Sequence, residues 1–120
     1  PGTDSPGATT FGELATAAGF KNGPFAMESY DAAALMLLAM EAAKSSDSQV
    51  YKFAIDEIAN APGEKIYPGE LGKALDLVKA GKDIDYVGAS AVELVGGGES
   101  AGNYAQIEVK SGKNETVAYR

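Results

Sequence analysis

A protein without histidine or cysteine must draw its chemistry from carboxylates, hydroxyls and backbone amides, and this 120-residue sequence has neither residue. The commonest general base and transition-metal ligand are therefore missing, as are thiolates and disulfides. Asp83 and Asp85 have the spacing of the first two ligands of a calcium loop, yet no further acidic ligand or glycine follows at the required offsets. Asp56 and Glu57 fall on the solvated face of a helical pattern, and Glu13 and Glu28 share no spacing that makes an acid/base pair. The run Gly96-Gly97-Gly98-Glu99-Ser100 is as glycine-rich as a phosphate loop. It lacks the lysine, places a glutamate where phosphate would lie, and precedes no helical pattern. No catalytic constellation, metal site or cofactor motif is expected, and an enzyme is disfavoured.

Phe25, Met27 and Glu28 remain. They precede a stretch, Ala32 to Ala43, in which Leu35, Met36, Leu37, Leu38 and Met40 stand among six alanines. A helix that is apolar all round is a buried one. Ser29 and Asp31 mark its start and Lys44 to Ser46 its end, so a helix over 29–44 is expected, too short to span a membrane. The lead-in Phe25 to Tyr30 reads as extended and delivers Phe25, Met27 and Glu28 to the rim of the helix N-terminus, where backbone donors can face a ligand. The Phe25 ring can wall a cleft there, whereas Tyr30 reads as core.

The other elements follow in order. Residues 1–8, with two prolines and two glycines, read as an irregular loop, and Thr10-Phe11-Gly12-Glu13 has capping-box spacing for a helix over 9–18 stopped by Gly19. A third helix is expected over 48–60, its apolar stripe formed by Val50, Phe53, Ala54 and Ile58, and a fourth over 69–80 carries Leu71, Ala74, Leu75 and Val78. Beyond Gly81 the period becomes extended, with short strands near Ile84 to Gly88 and Ala91 to Val95. Gly96 to Gly98 should break regular structure. Ala105, Ile107 and Val109 alternate with polar residues as in a half-buried strand, and Ser111 to Asn114 turns it into a closing hairpin.

A formal charge of -7 argues against nucleic acid and anionic membrane surfaces, which need a basic footprint. The 45% hydrophobic content suits one modest core. The chain opens on Pro1-Gly2-Thr3-Asp4-Ser5-Pro6-Gly7, a loop rather than a start, and an absent N-terminal portion is expected.

The order of residues also carries a resemblance. Pro24-Phe25-Ala26 and Ser29-Tyr30-Asp31-Ala32-Ala33-Ala34 running into an apolar helix, then Gly69 to Leu75, then Gly81 to Ser90 and a closing alternating strand resemble the C-terminal third of type I periplasmic binding proteins, over essentially the whole chain. Within these, the branched-chain amino acid (Leu/Ile/Val) group that serves ABC transporters is the most similar. The resemblance implies an α/β fragment of a two-lobed fold, with 1–95 completing the first lobe, 96–103 a glycine-rich crossing and 104–120 a hairpin of the second lobe. It implies a solute-binding component of an ABC importer, periplasmic or extracellular, that closes on an amino acid and docks on a membrane permease; a ligand-sensing domain coupled to a signalling partner is the alternative. Phe25 matches an aromatic residue at the family's ligand cleft, with Met27 and Glu28 as neighbours. A chain severed from its remaining two-thirds should expose apolar surface and strand edges, and a dimer or swapped assembly is expected.

Overall fold

Pro6 pre-sets the φ of a first helical turn and Ser5 stands before it as a cap, so the chain turns helical after its first five residues. In the computed structural model, which describes residues 1–120, α1 runs Pro6–Ala17. The opening is thus not a loop to residue 8. Thr10 lies inside the helix, where its hydroxyl donates to the Pro6 carbonyl at 3.1 Å, and the capping box with Glu13 does not form. Gly19, at φ 70°, stops the helix as expected.

The second helix, α2, runs Ala26–Ala43, so most of the lead-in expected to be extended is its first turn and a half. Neither Ser29 nor Asp31 caps it. Phe25 occupies the N-cap position at φ 62° without a side-chain cap. Nor is α2 wrapped on all sides: it buries Asp31, Ala34, Leu35, Leu38 and Ala39, while Met36 and Leu37 stay 42% and 49% exposed.

The third expected helix divides into α3 (Ser48–Tyr51), a 3-10 turn (Lys52–Ala54) and α4 (Ile55–Ala59). Tightening to three residues per turn shifts the phase of the stripe. Ile58 is buried and Phe53 is 75% exposed as a result. Asn60 clamps α4 to the later chain, its amide donating to the Leu94 carbonyl and its carbonyl accepting from the Leu94 amide, both at 2.9 Å.

A β-α-β unit follows. β1 (Glu64–Ile66) pairs in parallel with β2 (Ile84–Tyr86), with Ile66 opposite Tyr86, and α5 (Leu71–Lys79) makes the crossover. Nothing in the sequence marks a strand at Glu64 to Ile66, because three residues are too few to alternate. α5 begins later than expected, since Gly69 adopts φ 87° and the Glu70 side chain accepts from the Tyr67 amide before the helix starts. Leu38, Ala59, Ile66, Ala74, Ile84 and Tyr86 form the heart of the core between α2, α4, α5 and the strand pair.

Gly96 to Gly98 do not abolish regular structure. They are the turn of a tight hairpin between β3 (Leu94–Gly96) and β4 (Glu99–Ser100), made by three successive positive φ values of 98°, 63° and 81°. Glycine adopts such angles without the steric penalty of a side chain. β5 (Ala105–Lys110) and β6 (Lys113–Tyr119) form the closing hairpin, turned at Ser111-Gly112. It packs almost wholly on itself, and Ile107 and Val109, expected half-buried, are 56% and 74% exposed. No helix is long and apolar enough to cross a membrane.

Candidate functional site

Asp31 sets the position of everything around the N-terminal end of α2. It is 2% exposed, and its carboxylate accepts four hydrogen bonds from the last residue of β2 and the loop that follows it. The Tyr86 hydroxyl and the Ala89 amide donate to Oδ1 at 2.9 and 2.8 Å; the Ser90 amide and hydroxyl donate to Oδ2 at 2.7 and 2.6 Å. Bonds to a charged group each contribute about 1.5–3 kcal/mol, and a buried charge without them would be untenable. Burial foremost, and then the Asp31 charge, push the Tyr86 phenol far above its usual range, so it donates as a neutral hydroxyl. The cluster bolts the first turns of α2 to the loop at Ser90.

Phe25 and Glu28 project from that anchored end into a cavity of about 310 Å³. Its other walls come from Thr3, Ser90 and the segment Ser100 to Tyr104. The first residues and the later segment run side by side, the Gly2 amide donating to the Asn103 carbonyl at 3.0 Å. Asn103 donates its amide hydrogens to the Ser90 and Ala91 carbonyls at 3.0 and 3.2 Å, which leaves its side-chain oxygen as an acceptor. The cavity therefore forms where four separate stretches of chain meet.

Of the three residues singled out from sequence, the structure brings two to this cavity. Phe25 is 61% exposed and also borders a second, apolar groove of about 630 Å³ lined by Phe11, Leu14, Phe20 and Tyr30. Its left-handed backbone is disfavoured by about 1–2 kcal/mol for a residue with a side chain. Glu28 lines the cavity, and its Oε2 is buried without a hydrogen-bond partner. Met27 goes elsewhere: one position along a helix turns its side chain away, and it packs against Phe11, Ala15 and Ala89. Tyr30 is structural, as expected, its ring 5.3 Å from Phe11 and its hydroxyl accepting from the Gly69 amide at 3.2 Å.

Ser90, Asn103 and Tyr104 were not singled out from sequence. Ser90 ends the Gly81 to Ser90 motif and Asn103 lies just before β5, and both become site residues only because folding brings Gly2, Ser90 and Asn103 side by side. Asp83 and Asp85 go to structure, the Asp83 carbonyl accepting from the Glu64 amide at 3.2 Å and Asp85 lying opposite Lys65. No three His, Cys, Asp or Glu side chains gather into a metal-binding group.

Over 67 residues, 56% of this chain, the sequence is 34% identical to the chemotactic signal transduction system substrate-binding protein BasB of Halobacterium salinarum. The matched stretch makes up only 16% of that protein's length. No family model and no solved structure matches the chain.

Proposed function

We propose that the chain is the C-terminal part of a two-lobed, non-catalytic protein that binds a small solute, an amino acid of the branched-chain kind or similar, in a cleft outside the cell membrane. The observation that carries this reading is the cavity at which Phe25, Glu28 and Ser90 of the helical body meet two adjacent connecting segments, residues 1–3 and 100–104. Segments that lie side by side between a packed body and a projecting hairpin have the placement of interlobe crossings, and a ligand there would be gripped by closure. The name of the similar protein, a substrate-binding protein, supports solute binding.

The exposed surface supports a larger molecule. A compact monomer of 12.3 kDa exposes about 6,100 Å², whereas this chain exposes 7287 Å². The excess exceeds one partner's share of a standard protein interface, about 800 Å². Parallel strand pairs occur almost only within wider sheets, and the β1–β2 pair has no third strand. In this reading the first lobe supplies those strands and the second lobe packs on the closing hairpin.

Two outputs fit: delivery to an ABC permease, or a signal passed to a membrane partner. The similar protein's name, which places it in a chemotactic system, favours the second. Calorimetry of the full-length gene product with leucine, isoleucine and valine tests the reading. Binding is expected, and Phe25→Ala should weaken it about tenfold by removing a wall of the cleft, roughly the 1.4 kcal/mol of part of a buried aromatic contact. Absence of heat with all three amino acids would sink the amino-acid assignment. Comparing uptake with tactic response in a strain lacking the gene separates the two outputs.

A further inference from the structure

Four asparagines occur in the chain, and three of them are held in place or hindered. The Asn60 side chain is bonded at both ends to Leu94, Asn103 donates to the Ser90 and Ala91 carbonyls, and Asn114 lies in β6 opposite Val109. Each precedes a residue with a side chain, Ala61, Tyr104 and Glu115 respectively. Asn22 differs on every count. It is exposed, lies in the irregular stretch 20–23 between α1 and α2, makes no hydrogen bond through its side chain, and precedes Gly23, whose backbone amide donates to nothing. The amide nitrogen of the following residue is within five-membered-ring reach of an asparagine side-chain carbonyl carbon. A Cβ on that residue hinders the approach, and glycine has none. Backbone without hydrogen bonds can turn to bring the two atoms together.

We infer that Asn22 is a self-modification site, at which the chain slowly converts its own asparagine into aspartate and isoaspartate. The Gly23 nitrogen, giving up its proton, attacks Asn22 Cγ; the N–Cγ bond forms, the Cγ–Nδ2 bond breaks, and ammonia leaves with that proton. Water then opens the resulting succinimide. Breaking the new N–Cγ bond gives aspartate, whereas breaking the original peptide bond gives isoaspartate, in which the main chain runs through the side-chain carbonyl and is longer by one carbon. The position gives either product a consequence. Lys21 is the one charged side chain on the apolar groove beside Phe25, and a carboxylate at the next residue offsets that charge. The Gly23 carbonyl accepts from the Ala26 amide at 3.1 Å, so a longer backbone at residue 22 shifts the turn that sets Phe25. The inference goes beyond the solute-binding reading and does not rest on it, since the reaction needs no ligand.

The test is peptide mass spectrometry on freshly purified full-length gene product and its Gly23→Ala variant, each incubated for weeks in neutral to mildly alkaline buffer. The Asn22 peptide should gain roughly one mass unit, the exchange of an amide NH2 for OH, with fragmentation showing both aspartate and isoaspartate. It should do so at least about tenfold faster than the peptides holding Asn60, Asn103 or Asn114, and Gly23→Ala should slow it about tenfold. A Cβ at Gly23 meets no atom within 4 Å, so the substitution fits the fold. The contrast among the four parent peptides stands even where the variant folds poorly. An Asn22 peptide of unchanged mass, a rate no higher than at Asn60, or a folded Gly23→Ala variant that converts as fast as the parent overturns the inference.

Discussion

At the scale of single residues, Asp31 and Tyr86 show how one carboxylate can organise a site it does not join. Both side chains are buried, and the four donors converging on Asp31 come from residues 86–90, more than fifty positions away in sequence. The Tyr86 phenol, shielded from water and facing that charge, holds its proton well above the ordinary tyrosine value near 10. Below about pH 10 the folded and unfolded chains both keep this proton, and the contribution to stability is constant. Above it the unfolded chain releases the proton while the folded chain retains it, so stability falls as pH rises, by about 1.4 kcal/mol per pH unit. Urea denaturation between pH 8 and 11 should show this decline, and Tyr86→Phe should flatten it while lowering stability at pH 8 through the lost bond to Asp31. An unchanged slope in Tyr86→Phe would assign the decline to other groups.

At the scale of elements, the loop after β2 is as exacting as any helix. Gly88 adopts φ 62°, its amide donates to the Ile66 carbonyl at 3.0 Å, and a Cβ there would collide with the Asp31 carboxylate and the Tyr86 ring. Left-handed backbone and overpacking together predict that Gly88→Ala destabilises the chain by about 3 kcal/mol. Chemical denaturation measures this, and a loss below about 1 kcal/mol would show that the loop can yield. The helices were legible where their periodicity was: Leu71, Ala74, Leu75 and Val78 face the core side of α5 as their spacing indicates. Element starts were less so. Ser5 outcompeted Thr10 because Pro6 follows it, and α2 began at Ala26 because a residue without a capping side chain, Phe25, took the left-handed turn. β1 was invisible, since its three residues pair only after α5 has brought Ile84 to Tyr86 alongside.

At the scale of the whole molecule, the chain is extended, with dimensions of 53 × 33 × 24 Å. Its radius of gyration is 15.5 Å, against about 14 Å for a compact domain of this length. The β5–β6 hairpin, the Met36–Leu37 face of α2 and the edges of three separate two-stranded sheets lie open. We propose that the isolated chain covers part of this surface by self-association, as dimers or swapped assemblies. Sedimentation velocity at tens of micromolar should find species larger than a monomer, and the double substitution Met36→Glu, Leu37→Lys should shift them toward monomer. A clean monomer of 12.3 kDa at every concentration would show that the open surfaces are tolerated in water.

Taken alone, the sequence determined the acidic charge, the lack of imidazole and thiol chemistry, the helical periods and the closing hairpin, because these follow from residue type and local spacing. It also pointed to Phe25 and Glu28, through their place beside an apolar helix. Only the tertiary structure decided that Met27 turns into the core, that Asp31 is a buried anchor, and that Ser90 and Asn103 stand beside Glu28. Those outcomes depend on contacts between residues far apart in the chain, and local sequence carries no record of which distant donors and acceptors folding will bring within hydrogen-bond reach.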